Sequence, residues 1–386
     1  MKVAVIGSTG YLGMQICEVL YHLPEFEVKL LVANTNREML IQQAQVLGNP
    51  SIYLADREVN LVAASDLKES GITVLKHRDE VRELLWENTL DGIFFALSGI
   101  DWIDLFYDLL LTDKTIWMAT KEIIVAGSEL WKGDRDLSQH KNVITLDSEH
   151  NALHQLIQNQ NPKDIAKIYL TASGGAFYEW QGDLNEITPE MALSHPNWKM
   201  GTKITIDSAN LINKGLEVIE ANCLFGFPYA QIDVLVQRES IIHALVERRD
   251  GFVIALLSKP DMKSVILHSL KSGGTFQIED CQINFNQLRS LHFDYPIPER
   301  FQGFYLSVEV GRLGGGYPAF FCGADEACVQ AFLNHQIGFN HIPIILEKSI
   351  EASIPKPQSI SDVIELYNQG FKTAKNLIKQ RRSLIC

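Results

Sequence analysis

Short apolar runs alternate with amphipathic stretches over the first 147 residues of the chain. β-Branched apolar runs predict strands, and apolar residues spaced three and four apart predict the helices between them. The predicted strands are Lys2–Ile6, Val28–Val32, Ile93–Ala96, Thr115–Met118 and Val143–Leu146. Helices are predicted between them, for example over Met14–Leu23 and Arg37–Leu47. This alternation is typical of a parallel sheet covered by helices.

The pattern changes further along the chain. Longer strands separated by polar, glycine-containing loops indicate a second α/β domain, with strands over Ile165–Thr171, Ile232–Val236 and Phe252–Leu257. A stretch of weak pattern with two prolines follows, and the remainder is predicted to be helical over Ala324–Asn334, Ile342–Ala352 and Ile360–Arg382. We therefore predict an α/β protein with a Rossmann-like nucleotide-binding domain, a central α/β catalytic domain, a connection and a helical C-terminal domain. Their expected bounds are 1–147, 148–272, 273–300 and 301–386.

Composition narrows the range of partners. The 386 residues include 47 acidic and 34 basic side chains, so a nucleic-acid or anionic-membrane surface, which needs a basic excess, is not expected. The chain opens directly into a strand without a charged-then-apolar leader, and no apolar run reaches membrane-spanning length. Its six cysteines are scattered without a CxxC pair, which fits reduced thiols. We expect a cytoplasmic protein.

A glycine-rich loop follows the first predicted strand. Gly7, Gly10 and Gly13 are spaced GxxGxxG and lead into a helix. Such glycines let the backbone approach a pyrophosphate at the helix N-terminus, although a tight turn without a ligand is the alternative. The second strand ends in Asn34-Thr35-Asn36-Arg37, with no acid to bind the ribose 2′-hydroxyl of NAD. Arg37 favours NADP, unless it is simply a solvated residue of the next helix.

Polar residues with metal- and phosphate-binding chemistry cluster in two places. Asp147 and Glu149 follow an apolar strand, and residues two apart on an extended segment can converge on one hard cation. A helix is predicted over Ala209–Leu224 with Ser208 as its N-cap. On it, one face carries a polar stripe of Asn210, Asn213, Lys214 and Glu217.

This polar stripe has two possible interpretations. In the functional one, Ser208, Asn213 and Lys214 hold a phosphate near the helix N-terminus. Glu217 is then a third metal carboxylate, with Glu220 as a fallback. In the structural one, the stripe is an ordinary solvated helix face.

Further candidates lie in loops. Ser173 follows a strand in a Ser-Gly-Gly segment that offers a hydroxyl and backbone amides to an anion. The polar segment 195–201 contains His195 and Trp198 and is typical of a lid that excludes water, although each residue alone is more often structural. Lys121 follows the Thr115–Met118 strand, where a parallel sheet faces its ligand crevice.

These motifs resemble the 1-deoxy-D-xylulose 5-phosphate reductoisomerase family. The matching segments are GSTGYLG, LDSEHNAL, LTASGGAF, HPNWKMGTKITIDSA, NKGLEVIEA, ESIIHALVE, KPDM, PERF and ADEACVQAFLNHQIGF, and they extend to about residue 352. HPNW followed by DSA and NKGLE at this spacing is highly specific. The resemblance implies a homodimer that uses NADPH and Mg²⁺ or Mn²⁺. The implied reaction converts 1-deoxy-D-xylulose 5-phosphate to 2-C-methyl-D-erythritol 4-phosphate in isoprenoid precursor synthesis.

The resemblance also implies roles for individual residues. The implied metal ligands are Asp147, Glu149 and Glu217. The implied catalytic residues are Lys121, Glu149 and His195. The implied substrate contacts are Ser148, Ser173, His195, Trp198, Ser208, Asn213, Lys214 and Glu217. The implied cofactor contacts are Thr9, Gly10, Tyr11, Leu12, Asn36, Arg37, Thr120, Glu122 and Met200.

The sequence departs from the family pattern at three places on the nucleotide side. Thr120 replaces the usual asparagine before the lysine, 33–36 reads ANTN instead of AGKN, and 97–102 reads LSGIDW instead of a glycine-rich loop. Three alternatives stay open: a divergent paralogue acting on a related phosphorylated ketose, a plain NAD(P) dehydrogenase, and a non-catalytic nucleotide sensor. The presence of Asp147, Glu149, Lys214 and Glu217 argues against the sensor. A hydrolase built on Ser240 and His243 is not expected, because no nucleophile-elbow motif surrounds the serine.

Overall fold

The first sheet is parallel and lies at the N-terminal end of the chain. A computed structural model describes residues 1–132, 135–194, 198, 200–270 and 282–380. Within the first of these ranges and the start of the second, the strands are β1 (Lys2–Ile6), β2 (Glu27–Ala33), β3 (Ser51–Leu54), β4 (Gly92–Phe95), β5 (Thr115–Met118) and β6 (Val143–Thr145). They are ordered β3-β2-β1-β4-β5-β6. The helices between them are α1 (Tyr11–Tyr21), α2 (Arg37–Val46), α3 (Arg57–Asp66), α4 (Arg78–Trp86), α5 (Ile103–Leu109) and α6 (Lys121–Ala126).

This strand order places a binding crevice at one edge of the sheet. The direction of strand succession reverses between β1 and β4, and open α/β sheets bind ligands outside the carboxyl ends of their strands at such a point. The strands are buried because their residues are apolar on both faces, as in β1 and β4. The fold prediction of a parallel sheet with helices is confirmed.

The second sheet is mixed and carries the central part of the chain. Its strands are β7 (Ile165–Ala172), β8 (Ile232–Val236), β9 (Ile242–Arg248) and β10 (Val253–Leu257), in the order β10-β9-β7-β8. β7 and β8 are parallel, whereas β9 is antiparallel to both of its neighbours. The associated helices are α7 (Ser148–Ile157), α8 (Pro189–Ala192), α9 (Thr202–Ala209) and α10 (Ile212–Phe225). α7 leads directly from the first sheet and packs on β9.

After β10 the chain returns to the first sheet. Helix α11 (Met262–Ser269) packs against α1, and the indole nitrogen of Trp117 donates to the carbonyl of Ser269 at 3.1 Å. Part of the segment expected to belong to the catalytic domain, 148–272, therefore lies against the nucleotide-binding sheet. The other expected domain bounds stay predictions.

The C-terminal helices are α12 (Gln302–Leu313), α13 (Tyr317–Leu333), α14 (His341–Ser349) and α15 (Ile360–Lys379). α13 and α15 cross closely at glycines: a Cβ on Gly323 would lie 1.9 Å from the carbonyl oxygen of Tyr367. α13 also packs on α6 and α9, so one core cluster joins all three parts of the chain. No helix within the described ranges is both long and apolar enough to cross a bilayer.

The helix expected over Ala209–Leu224 is two helices. The chain breaks at Leu211, which has a left-handed backbone (φ 59°), and the Asn210 side chain accepts a hydrogen bond from the amide of Ile212. Ser208 lies in the last turn of α9 and is not an N-cap, so that prediction is wrong. The break separates Ser208 and Asn210 from the helix that carries Asn213, Lys214 and Glu217, so Asn210 does not belong to one continuous helical stripe with them.

The expected connection, 273–300, is described only from residue 282 onward. There it contains no named strand or helix, and Asp294 forms an isolated bridge with Val236. The C-terminal helices occupy the predicted regions, but α13 begins at Tyr317 instead of Ala324. Elements that the pattern did not indicate include β3, β9, α7, α8, α9, α11 and α12.

Candidate active site

A cavity of about 540 Å³ lies between the carboxyl ends of the first sheet and helices α7, α9 and α10. Its volume is in the range of small-molecule and cofactor sites. The glycine loop after β1 and the segment after β4 line one end. The other end contains the carboxylates at the start of α7, the Ser173 loop and the first turn of α10.

Three carboxylates and two lysines meet at this second end. The ammonium of Lys121, the first residue of α6, lies 3.0 Å from Asp147 Oδ2 and 3.1 Å from Glu217 Oε1. The ammonium of Lys214 lies 2.8 Å from Glu149 Oε1 and also pairs with Glu217. The three elements that carry these residues, α6, α7 and α10, therefore share one charge cluster, which we call the carboxylate centre.

His150 contacts two residues of the carboxylate centre, Asp147 and Glu217. Its Nδ1 is 2.9 Å from Asp147 Oδ1, and its Nε2 is 3.0 Å from the carbonyl oxygen of Glu217. The ring is fully buried, with Glu220 Oε2 3.7 Å from Nδ1. Both ring nitrogens are thus engaged by the protein, so His150 orients Asp147 instead of offering a free ligand atom.

Burial and mutual pairing perturb these groups strongly. Burial acts to lower the pKa of Lys121, but Asp147 and Glu217 outweigh it and raise that pKa well above the ordinary value. Burial acts to raise the pKa of Asp147, yet Lys121 and His150 hold it well below its usual range. Burial and the neighbouring Asp147 raise the pKa of Glu217. Burial acts to lower the pKa of Lys214 as well, but Glu149 and Glu217 outweigh it and raise that pKa. Both lysines are therefore cations and Asp147 is a carboxylate at neutral pH.

The centre fits a hard divalent cation. Carboxylate oxygens are ligands that Mg²⁺ and Mn²⁺ favour. Side-chain ligand atoms of Asp147, His150 and Glu217 lie within 4.8 Å of one another. We favour Glu149 over His150 as the third ligand, because both nitrogens of His150 are already engaged while Lys214 holds Glu149 at the same centre.

The candidate phosphate residues surround the same end of the cavity. Ser173, Ser208, Asn213 and Lys214 all line it, although they come from the loop after β7, from α9 and from α10. The amide nitrogen of Asn213 donates to Glu217 Oε1. The Ser173 hydroxyl accepts from the amide of Gly175 at 3.2 Å, which orders that glycine turn. Ser148 also lines the cavity and donates its hydroxyl to Glu149.

At the opposite end of the cavity, the glycine loop lets a ligand approach the backbone closely. Gly7 has φ 90°, and a Cβ there would lie 2.3 Å from the carbonyl oxygen of Ala96. Thr9, Gly10, Tyr11 and Leu12 line the cavity where α1 begins, and no described side chain caps that helix. The helix N-terminus therefore presents its first turn to the cavity, as a pyrophosphate requires.

Comparison with known proteins identifies the family. Models of 1-deoxy-D-xylulose 5-phosphate reductoisomerase match residues 3–128, and models of its C-terminal domains match residues 143–225 and 257–371. A 1-deoxy-D-xylulose 5-phosphate reductoisomerase from Sulfurihydrogenibium sp. (strain YO3AOP1) is 38% identical over 383 residues, which cover 98% of this chain and 99% of that protein. The chain belongs to the 1-deoxy-D-xylulose 5-phosphate reductoisomerase family.

Solved structures of this family have the same fold. The enzyme from Zymomonas mobilis in complex with NADPH is 30% identical, with a TM-score of 0.86 over 98% of this chain and 99% of that one. A reductoisomerase in complex with NADPH, fosmidomycin and magnesium is 27% identical, with a TM-score of 0.89 over 99% of both chains.

Two departures from the family pattern contact each other. The Thr120 hydroxyl accepts from the Leu97 amide at 3.2 Å and donates to the Leu97 carbonyl at 3.0 Å. Thr120 is buried and is not among the residues that line the cavity, whereas Leu97 and Ser98 are. Thr120, which replaces the family's asparagine, is thus hydrogen-bonded to Leu97, the first residue of the segment that replaces the glycine-rich loop.

Besides Thr120, two expected cofactor residues lie outside the cavity wall. Asn36 caps α2 by accepting from the amide of Met39, and the Arg37 guanidinium pairs with Asp66 at 2.6 Å. The cavity instead includes Asn34 at the end of β2. Contacts of Asn36, Arg37 and Thr120 with a nucleotide stay predictions, while Glu122 and Met200 do line the cavity.

The expected lid is only partly described. Trp198 lines the cavity, with its ring 6.2 Å from that of His243. His195 lies outside the described residues.

Four residues of the site were not predicted from the sequence: His150, Lys203, Asp207 and Met262. His150 contacts Asp147, and the other three line the cavity. The spacing of Lys203 and Asp207, four apart on one helix, was the available signal for two of them.

Proposed function

We propose that this chain catalyses the NADPH-dependent conversion of 1-deoxy-D-xylulose 5-phosphate to 2-C-methyl-D-erythritol 4-phosphate, with Mg²⁺ or Mn²⁺. The observation that carries the proposal is that the carboxylate centre and the glycine loop line one cavity in a chain matched by this family along most of its length. The substrate is then a small phosphorylated ketose in isoprenoid precursor synthesis.

Asp147, Glu149 and Glu217 would hold the metal. When bound, the metal supplies Lewis-acid polarisation of the ketose carbonyl, and NADPH supplies the hydride. Without the metal, Lys121 and Lys214 balance these carboxylates.

The chain's own residues bind and orient the sugar phosphate. Ser173, Ser208, Asn213 and Lys214 surround the position proposed for the phosphate, where a charged lysine gives a charge-assisted contact. Lys121, kept protonated by its carboxylate neighbours, can donate to substrate hydroxyls. Trp198 and Met200 contribute apolar wall that excludes water. His195 stays a catalytic candidate by resemblance alone.

The decisive experiment identifies the product. Purified protein is incubated with 1-deoxy-D-xylulose 5-phosphate, NADPH and Mn²⁺, and the product is identified by NMR while NADPH consumption is followed by absorbance. We expect the branched 2-C-methyl-D-erythritol 4-phosphate. An unbranched reduced sugar would instead indicate a plain dehydrogenase, and no consumption of NADPH would contradict both readings. Glu217→Gln, which removes a metal charge while keeping the side-chain shape, is the matched inactive control.

We also propose that the chain forms a homodimer in the cytoplasm. The family resemblance supports the dimer, and β10 is an edge strand whose start carries exposed Phe252 and Val253. Buried free cysteines such as Cys322 and Cys328 fit a reducing compartment. Light scattering of wild type and Val253→Lys tests the dimer and the role of this edge, and fractionation of the native host tests the location.

A further inference from the structure

A second buried cation lies beside the cavity, apart from the carboxylate centre. The ammonium of Lys203, in the first turn of α9, is 2.6 Å from Asp207 Oδ2 and 2.6 Å from Asp325 Oδ2. Glu122 Oε1 lies 3.5 Å away. The Lys203 side chain is 13% exposed, and that of Asp325 is completely buried. We call these four residues the Lys203 cluster.

The Lys203 cluster depends on its lysine. Asp207 and Asp325 each keep their second carboxylate oxygen buried, with no hydrogen-bond partner among the described residues. A buried carboxylate without a partner is costly, and the Lys203 ammonium is the cation that contacts both aspartates. Burial and the neighbouring Asp325 also raise the pKa of Asp207 to about 8, so a proton as well as the ammonium can offset the charge of the pair. Burial acts to lower the pKa of Lys203, but Asp207 and Asp325 outweigh it and raise that pKa well above the ordinary value.

The cluster joins two helices that line the cavity, α6 and α9, to a third, α13, that packs against both. Glu122 follows Lys121 on α6, and Lys121 reaches into the carboxylate centre. Asp207 precedes Ser208, which lines the proposed phosphate position on α9. Asp325 lies on α13, which packs against both α6 and α9. The Lys203 ammonium thus contacts carboxylates on three helices: α6 beside the first sheet, α9 at the proposed phosphate position, and α13 among the C-terminal helices.

We propose that Lys203 is a positioning residue for the reaction, which fixes the α9 wall with Ser208 relative to Lys121 on α6. The inference rests on the proposed function. Lys203 contributes through its carboxylate partners, since its ammonium already lies within hydrogen-bond distance of two of them. The carboxylate centre has its own cations, Lys121 and Lys214, so its charges do not depend on Lys203.

The variant Lys203→Met tests this role, because it keeps the length of the side chain and removes the charge. A misplacement of about 1 Å can cost about a hundredfold in rate, so we expect kcat/KM to fall by roughly tenfold to a hundredfold. Most of the loss should appear in KM for both the sugar phosphate and NADPH, since the variant displaces cavity walls and leaves the carboxylate centre intact. Kinetics are measured below the melting transition recorded by circular dichroism.

Two further variants separate positioning from stability. Lys203→Met combined with Asp325→Asn relieves the repulsion between the aspartates, so it should recover melting temperature while KM stays raised. Asp325→Asn alone keeps the contact between Lys203 and Asp207 and should give a smaller rise in KM, which provides a readout if Lys203→Met does not fold. Arg82→Met is the matched control, because Arg82 bridges Asp104 and Asp108 between α4 and α5 and does not line the cavity.

Three outcomes would overturn the inference. The first is a lower melting temperature for Lys203→Met with normal KM and kcat in the folded protein, which would make the cluster purely structural. The second is recovery of both melting temperature and KM in the double variant, since the walls would then be placed without the ammonium. The third is a rise in KM for NADPH alone, which would indicate direct contact with the cofactor. Failure of the proposed function is distinct, because wild-type protein would then form no branched product.

Discussion

Replacing Lys214 with methionine should destabilise the metal-free protein far more than the metal-bound protein. The Lys214 ammonium lies 2.8 Å from Glu149 Oε1 and also pairs with Glu217, and its side chain is 4% exposed. Removing one partner of a buried ion pair costs about 3–5 kcal/mol, because the remaining charge is left without compensation. Lys121 still lies 3.1 Å from Glu217, so we expect a value near the lower limit, about 3 kcal/mol.

Magnesium should reverse much of this loss. A cation that binds only the native state stabilises it by mass action, and the variant has one fewer ammonium competing for the same carboxylates. The assay is chemical denaturation followed by circular dichroism, in chelator and in excess Mg²⁺. Lys132→Met is the control, because Lys132 pairs with Glu129 at 2.6 Å but is 64% exposed, and exposed pairs contribute at most about 1 kcal/mol.

The reasoning fails if Lys214→Met loses the same free energy of unfolding with and without Mg²⁺, or loses no more than the control. The same variant tests the phosphate contact. A charge-assisted hydrogen bond contributes about 1.5–3 kcal/mol, so kcat/KM with saturating metal should fall by roughly tenfold to a hundredfold or more. Normal kinetics in folded Lys214→Met would place the phosphate elsewhere in the cavity.

Three other outcomes are expected. Excess chelator should abolish turnover and Mn²⁺ or Mg²⁺ should restore it, because the carboxylate centre lines the cavity; full turnover in chelator would remove the metal from the mechanism. Wild type should prefer NADPH to NADH. Asp66→Asn releases Arg37 from its 2.6 Å ion pair with Asp66, so it should lower KM for NADPH only. An equal change in KM for both cofactors would exclude Arg37 as a 2′-phosphate contact. Burial lowers the pKa of His243 from 6.5 to about 4. Between these two pH values the unfolded chain binds a proton at this ring more readily than the folded chain does. The folded state is therefore fully stabilised by the neutral ring above pH 6.5, and this stabilisation is lost as the pH falls towards 4. Denaturation at pH 7 and pH 4 should show about 3 kcal/mol more acid destabilisation in wild type than in His243→Gln, and equal pH dependence would contradict the assignment.

The glycine loop after β1 is the part of the site that the local sequence pattern indicates most directly. Its glycines follow directly after β1, so a local pattern specifies both the strand and the loop. Asp147 and Glu149 were found because they follow β6, but the extended segment predicted for them is wrong: Asp147 is the N-cap of α7 and Glu149 lies in its first turn. The pair between Arg37 and Asp66 could not be predicted, since no local pattern shows that two residues on separate helices meet. The contact of Arg37 with a nucleotide stays a prediction.

The helix break at Leu211 could not be predicted. A left-handed backbone is disfavoured for a branched residue, so local propensity argues for a continuous helix. Tertiary packing overrides that propensity here. The polar stripe on α10 presented a related ambiguity, because a solvated face and a face turned to buried carboxylates have the same periodicity. Lys214 and Glu217 are in fact buried, at 3% and 1% exposure.

Long-range pairs have no local signal at all. Lys203 and Asp325 are 122 positions apart, and only the shorter spacing to Asp207 suggested that Lys203 had a partner. A contact of this kind becomes visible only when α9 and α13 are placed against each other in three dimensions.

The return of α11 to the first sheet means that the backbone passes between the two sheets at both ends of the segment from β7 to β10. One crossing runs from β6 into α7 at Asp147, and the other runs from β10 into α11 at Met262. Both of these residues line the cavity. A ligand that contacts both Asp147 and Met262 would therefore touch both places where the backbone passes between the sheets. Because such a ligand binds only the folded arrangement, it should stabilise the packing of one sheet against the other.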